Sequence, residues 1–469
     1  MPQLSTLDDW NRLVDGLSIR TEAFIDGRYV PAAGGETFDC VNPANSQVIA
    51  RIAATDAEDV NRAVIAARRA FDSGRWPRMA PSARKEILLR FAELIRQNQD
   101  ELAALETIDM GKPIADSTTI DIPGAARCIA WYAEAVDKVY DEVAPTSREQ
   151  IGLITREPVG VVACIVPWNF PLLMAAWKIG PALAAGNAVI LKPSEKSPLT
   201  AIRVAELAAE AGIPDGIFNV LPGFGDKTGK PLALHEDVDC LAFTGSTAIG
   251  KQILQYSGQS NMKRVWLECG GKSPQIFMAD LPDLERAVDA AYNGVFANMG
   301  EVCNAGSRIM VDRKIYDEFV ERFVAEGKDA YRAGDPLDPA TNLGPLVTHQ
   351  DQKRVLGMIE TGKKEGIALT ARDLVCRRGR RDERFELRVD ALEHTAVLCG
   401  PGAGRVHHRS AQMILPAGRA AVAHIVLGAG QHPFALAAAH KGRRKGAGAL
   451  GGFRPGPHVD HRVGGVVVY

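Results

Sequence analysis

The feature that most restricts what this chain can fold into is the regular alternation between Pro158 and Glu268. Short continuous apolar stretches, Val159 to Val166, Ala188 to Leu191, Ile217 to Leu221, Cys240 to Phe243 and Val265 to Leu267, are separated by longer stretches with helical spacing. A strand open to water on one face alternates apolar with polar residues, so a continuous apolar run marks a strand covered on both faces. A helix between two such runs marks a β-α-β crossover. The expectation is a doubly wound parallel sheet whose ligands sit at the carboxyl ends of its strands.

Around this core the pattern is of other kinds. Phe24-Ile25-Asp26-Gly27-Arg28-Tyr29-Val30 sets Asp-Gly between two apolar runs, the signal of a β-hairpin. Asp56 to Phe71 and Ser82 to Leu105 carry apolar residues at helical spacing and read as packing helices. From about Gly270 a second α/β unit is expected, with a helix over Asp283 to Asn298 and a strand over Arg308 to Val311. At 469 residues the chain is about three times a typical domain, so two or three units are expected. A net charge of −2 gives no reason to expect nucleic acid or an anionic membrane as partner. Met1 to Trp10 lacks the basic-then-apolar order of an export signal, and the longest apolar run is half of the roughly twenty residues a spanning helix needs. A cytoplasmic protein with no membrane segment is expected. The eight cysteines show no paired spacing, which argues for a reducing compartment and no structural metal.

Several segments could carry chemistry, and each has a plainer reading. Lys192 and Glu195, at the end of the second strand, could bind ribose hydroxyls or form a solvated turn. Gly223, Gly225 and Gly229 are spaced one residue too wide for a dinucleotide fingerprint and read as a loop. Phe243-Thr244-Gly245-Ser246-Thr247-Ala248-Ile249-Gly250 joins a strand to a helix whose free N–H groups could receive a pyrophosphate. Pro167-Trp168-Asn169-Phe170-Pro171 follows the first strand, where the Asn169 amide could donate to an oxyanion or merely close a turn. Glu268 stands at a strand end before Gly270 and Gly271. Cys303 follows a helical stretch, and spacing alone does not distinguish it from Cys164 or Cys269.

Together, in their order and spacing, Pro-Trp-Asn-Phe-Pro, Lys-Pro-Ser-Glu, Phe-Thr-Gly-Ser-Thr, Leu-Glu-x-Gly-Gly-Lys-Ser-Pro and Gly-x-x-Cys-x-Ala-Gly-Ser-Arg resemble the aldehyde dehydrogenase superfamily. The likeness runs from about Phe24 to Gly366 and includes Asn342-Leu343-Gly344-Pro345-Leu346-Val347. Ile122 to Arg127 and Trp131 to Tyr140 look most like bacterial γ-glutamyl-γ-aminobutyraldehyde and related aminoaldehyde dehydrogenases. The resemblance implies an NAD-binding doubly wound domain (1–137 and 158–268), an oligomerisation arm (138–157) and an α/β catalytic domain (269–366), assembled as a homodimer or homotetramer. It implies that Cys303 attacks the aldehyde, that Asn169 and the Cys303 backbone N–H hold the oxyanion, and that Glu268 activates the water that hydrolyses the thioester. Lys192 and Glu195 would hold the adenosine ribose, Glu195 favouring NAD over NADP by repelling a 2′-phosphate. Trp168, Gly245, Ser246 and Gly250 would line the cofactor site. The acylating subclass, which passes the thioester to coenzyme A, generally lacks the base that Glu268 supplies.

Two positions depart from the pattern: Glu301 stands where most members have Gln, and Cys269 where Leu or Ala is usual. After Gly366 the departure is larger. The family's Glu-x-Phe-Gly-Pro and Pro-Phe-Gly-Gly segments are missing, no Asp or Glu occurs from His394 to Val459, and eight of the ten histidines follow Leu392. The tail 367–469 fits either a basic module around Arg372 to Arg388 and Lys441 to Lys445 or a frame-shifted translation. Abrupt loss of acids, Trp and periodicity inside a folded domain favours the second. The alternative function is then a catalytically impaired NAD-binding product.

Overall fold

Asp26 and Gly27 both take positive φ, 55° and 78°. That backbone is what a two-residue hairpin turn with the right-handed twist of its strands requires, and an Asp-Gly pair tolerates it. The turn joins β1 (Ala23–Ile25) to β2 (Arg28–Val30), with Phe24 opposite Tyr29. The structure is a computed structural model. It describes residues 4–365, apart from the side chains of 327–329, and the backbone of residues 368–369, 396–398 and 464–468. The rest of the 367–469 tail, with the basic and frame-shift readings attached to it, lies outside the described residues.

Two further hairpins follow, β3 (Thr37–Val41) with β4 (Val48–Ala53), and β5 (Glu142–Ala144) with β6 (Gly152–Ile154). The five apolar runs become β7 (Val161–Ile165), β8 (Ala188–Lys192), β9 (Phe218–Val220), β10 (Cys240–Gly245) and β11 (Arg264–Cys269). They lie parallel, and β1 adds to β9 in the opposite sense, giving the order β11-β10-β7-β8-β9-β1-β2. Helices Pro171–Ala184, Leu199–Ala211, Lys230–Leu234 and Thr247–Gln259 run between them. Winding proceeds outward from β7 to β9, then returns across β7 to β10, so the order reverses between β7 and β10. A doubly wound sheet opens its ligand crevice at that reversal.

Three readings of the sequence need correcting. The apolar run at Val265 to Leu267 is not covered on both faces: β11 is an edge strand whose Arg264, Trp266 and Glu268 face outward, Trp266 being 67% exposed. The stretch Ser82 to Leu105 is two helices, Pro81–Gln97 and Gln99–Met110. Asn98 leaves the helical region and its side-chain amide donates to the Leu94 carbonyl, closing the first helix, while the apolar stripe continues across the break. Gly225–Gly229 is a π-helical turn that leads into Lys230–Leu234 rather than an open loop.

A second sheet has the order β12 (Pro274–Phe277), β13 (Arg308–Val311), β16 (Gly464–Val468), β15 (Ala396–Leu398) and β14 (Ala368–Leu369). Only β12 and β13 are parallel. Helix Leu284–Phe296 lies inside its expected span, and helices Tyr316–Ala330 and His349–Lys364 follow. Two hydrophobic cores result. One is built on β7 to β10 and the N-terminal helices; the other is a smaller cluster around Tyr292, Phe319 and Phe323 beside β13. Among the described residues no helix is long and apolar enough to cross a membrane.

Candidate active site

The carboxyl ends of β7, β8 and β10 carry the residues singled out in the sequence. Beyond β7 the chain runs through Trp168, Asn169 and Phe170, and Pro171 opens the next helix, where its missing N–H costs nothing. Beyond β8, Lys192 is buried, at 3% exposed, and Glu195 is half-buried. The Lys192 Nζ donates to the Pro193 carbonyl at 2.6 Å, one of three bonds it can make. Burial pulls its pKa down to about 8, against the opposing pull of the Glu195 carboxylate. Ser197 Oγ donates to the Trp168 carbonyl at 3.2 Å and ties the two loops together. Beyond β10, Ser246 caps helix Thr247–Gln259 by accepting from Ile249 N, and Ser246 to Ile249 are exposed while Gly250 is buried. The free N–H groups of that first turn, and the Lys192 donors that meet no acceptor among the described residues, suit a dinucleotide: the helix end for a pyrophosphate, Lys192 and Glu195 for ribose hydroxyls.

Three loops meet at the cysteine. Cys303 is exposed, the other described cysteines being buried or half-buried. Its carbonyl accepts from Gly271 N at 2.9 Å, which fastens the loop after β11, three residues past Glu268, to the cysteine. Asn169 Nδ2 donates to the Glu301 carbonyl at 2.7 Å. Asn298 Nδ2 donates to both the Asn169 and the Glu301 carbonyls, at 3.1 and 3.2 Å. Asn298, Met299 and Gly300 all have positive φ, 50°, 57° and 75°, so helix Leu284–Phe296 ends in a left-handed turn that aims the chain at Cys303. Asn and Gly accept that backbone; Met299 is strained in it.

Glu268 sits outward on β11, opposite Thr244 of β10, and no hydrogen bond to its carboxylate is found among the described residues. Its charge is felt by Lys178 on helix Pro171–Ala184, whose pKa burial lowers while Cys164 and Glu268 oppose the shift. Cys269 points toward helix Thr247–Gln259, where a Cβ on Gly250 would come within 3.2 Å of its sulfur.

Behind Asn169 lies a group that sequence reasoning missed. Lys112, fully buried, contacts Asp121 at 2.7 Å and Glu106 at 3.5 Å, and its Nζ lies 4.0 Å from the Phe170 ring centroid. Glu106 Oε2 accepts from Leu172 N at 3.3 Å, so the buried charges grip both the ring and the first turn beside Asn169. Burial and the neighbouring Asp121 raise the Glu106 pKa. Lys178 and Lys112 belong to no motif read from the sequence, and Asn298 opens the segment around Cys303 without a role assigned to it; the signal available was Asn298 and Gly300, two residue types that accept a left-handed backbone.

The crevice at the strand ends suits a dinucleotide, and an exposed thiol stands in the loops beside it. The Aldehyde dehydrogenase family model matches residues 29–385, past the Gly366 at which the motifs stop. The NADP/NAD-dependent aldehyde dehydrogenase PuuC of Escherichia coli (strain K12) is 52% identical over 357 residues, 76% of this chain and 72% of that protein. Among solved structures, an indole-3-acetaldehyde dehydrogenase complexed with NAD+ is 58% identical with a TM-score of 0.77, covering 78% of this chain and 74% of that one. The γ-glutamyl-γ-aminobutyraldehyde dehydrogenase of Burkholderia cenocepacia J2315 is 60% identical with a TM-score of 0.76, covering 78% and 73%. This chain belongs to the aldehyde dehydrogenase family. It is an aldehyde-oxidising enzyme of NAD-dependent type, and the comparisons give no support to the alternative of an impaired product.

Proposed function

We propose that the protein oxidises an aminoaldehyde to the carboxylic acid, with NAD, through a thioester on Cys303. The observation that carries this reading is the knot of loops: an exposed thiol lies two residues from the carbonyl that holds the Asn169 amide, and the loop after Glu268 is bonded to the same cysteine.

Cys303, as thiolate, adds to the aldehyde carbon and leaves an oxyanion on the thiohemiacetal. Asn169 spends one amide hydrogen on Glu301 and keeps the other for that oxygen, beside the Cys303 backbone N–H. NAD, when bound, accepts the hydride as the C=O re-forms. What remains on Cys303 is an acyl thioester. Glu268 then takes a proton from water, whose oxygen adds to the thioester carbon; the thiolate leaves and the acid is released. With a base present, water rather than coenzyme A is the acceptor.

Lys192 and Glu195 hold the adenosine ribose, and Trp168, Gly245, Ser246 and Gly250 line the rest of the cofactor site. Glu195 disfavours NADP by charge repulsion. The aminoaldehyde is supported by the 60% identity to the γ-glutamyl-γ-aminobutyraldehyde enzyme. In this reading 1–137 and 158–268 carry NAD, and 269–366 is the catalytic unit. Residues 138–157 form the arm of a homodimer or homotetramer, supported by the exposure of Val143, Ile151 and Leu153 (73, 83 and 68%). The cytoplasm is the proposed compartment.

The test is NADH production by the full chain from a panel of amino-, aliphatic and aromatic aldehydes, with NAD and with NADP. The highest kcat/KM is expected for an aminoaldehyde with NAD, and none from Cys303→Ala. Turnover by Cys303→Ala at the parent rate would overturn the assignment of the nucleophile.

A further inference from the structure

We propose that Glu301 is a positioning residue for this reaction: its carboxyl pins the segment before Cys303 to the loop at Val347, so that its own carbonyl offers Asn169 one fixed acceptor. The inference rests on the reading of Asn169 as an oxyanion donor.

The linkage is a continuous chain of hydrogen bonds. Val347 N donates to Glu301 Oε1 at 3.3 Å, and the Glu301 carbonyl receives the Asn169 and Asn298 amides at 2.7 and 3.2 Å. The other carboxyl oxygen, Oε2, is buried and has no hydrogen-bond partner among the described residues. The charged groups that act on it are Asp351 on helix His349–Lys364, Lys196 beyond β8 and Lys112 beyond helix Gln99–Met110. Neither cation is free to neutralise it, because Lys196 pairs with Asp351 at 2.6 Å and Lys112 with Asp121 at 2.7 Å. A carboxylate buried on these terms is costly, and burial pushes the Glu301 pKa up to about 8. Near neutral pH the side chain is therefore a protonated acid. In that state it matches in shape and charge the glutamine that most members of the family carry here.

Ionisation would put an unpaired charge against the segment that carries Asn169's acceptor, and truncation would cut the tether to Val347. Displacement of a group that contacts the reacting oxygen by about 1 Å can cost a hundredfold in rate. The positioning role separates from a merely structural one by its pH profile and by conservative rescue.

The experiment uses the full-length enzyme with NAD and an aminoaldehyde, and compares Glu301→Ala, Glu301→Gln and Asn169→Ala, with melting curves for each. Expected for Glu301→Ala is a fall in kcat of roughly tenfold to a hundredfold with the KM for NAD unmoved. Glu301→Gln is expected to restore the lost rate and to lack a fall in kcat that the parent enzyme undergoes as pH rises through about 8. If Glu301→Ala fails to fold, the pH profile of Glu301→Gln decides by itself: a profile superposable on the parent's overturns the proposal. So does Glu301→Ala with the parent's kcat, or Glu301→Gln as slow as Glu301→Ala. Asn169→Ala at full rate would instead remove the reading of the oxyanion site on which the inference stands.

Discussion

At the scale of single residues, surroundings change the chemistry of several groups. Glu301 is one, and its raised pKa has a consequence for stability. The folded protein keeps the proton to about pH 8, whereas the unfolded chain loses it near the ordinary value of 4.5. Between these values the folded state binds more protons, so this group's contribution to stability falls as pH rises from about 4.5 to about 8 and is level above. Glu301→Gln removes that slope. The difference in unfolding free energy between Glu301→Gln and the parent, measured by denaturant titration, should grow in favour of the variant across this window; a difference independent of pH would contradict the burial argument. Cys303, Glu268 and Asn169 were named through the family resemblance of the short motifs that hold them, since spacing alone did not single out Cys303. Asn298 and Lys112 were not named in this way, because their importance comes from contacts more than fifty residues away in sequence, with Asn169 and Phe170. Glu301 was visible only as an odd residue, and its burial gave that oddity a physical meaning.

At the scale of elements, legibility followed how strongly the local pattern constrains the backbone. The strands β7 to β10 were readable because a strand covered on both faces must be apolar throughout. β11 misled because a short apolar run reads the same at an edge. The break at Asn98 was hidden for a similar reason: two consecutive helices that pack on the same core share one stripe. The motif Asn342 to Val347 was recognised without its cause. A Cβ on Gly344 would stand 1.9 Å from the Gly111 carbonyl oxygen, a backbone atom that cannot swing aside. Gly344→Ala should therefore push the loop outward and destabilise the protein by about 1 to 3 kcal/mol, as overpacking does. Because Val347 rides on that loop, its bond to Glu301 should loosen too, with a loss of kcat. Gly258, in helix Thr247–Gln259, where a Cβ would meet no described atom within 4 Å, is the control. Gly258→Ala should be neutral or slightly stabilising, since alanine is the better helix former. Equal unfolding midpoints for the two variants would contradict the steric reading of Gly344.

At the scale of the molecule, two sheets with separate cores bring a dinucleotide crevice and a cysteine loop to one place. The doubly wound class was legible in the sequence. The strand order that puts the reversal between β7 and β10 was not, since periodicity says that strands pair but not with which neighbour. The central claim is that chemistry passes through an acyl thioester on Cys303 that Glu268 resolves with water. The most direct measurement is to mix Glu268→Gln with NAD and an aminoaldehyde, quench, and locate the adduct by peptide mass spectrometry. General-base loss of roughly a hundredfold or more should let the intermediate accumulate. The account predicts a burst of NADH matching the number of active sites and a mass gain on the Cys303 peptide equal to the aldehyde less two hydrogens. Normal turnover with no acyl group on Cys303, or the same adduct on Cys269 instead, would contradict it.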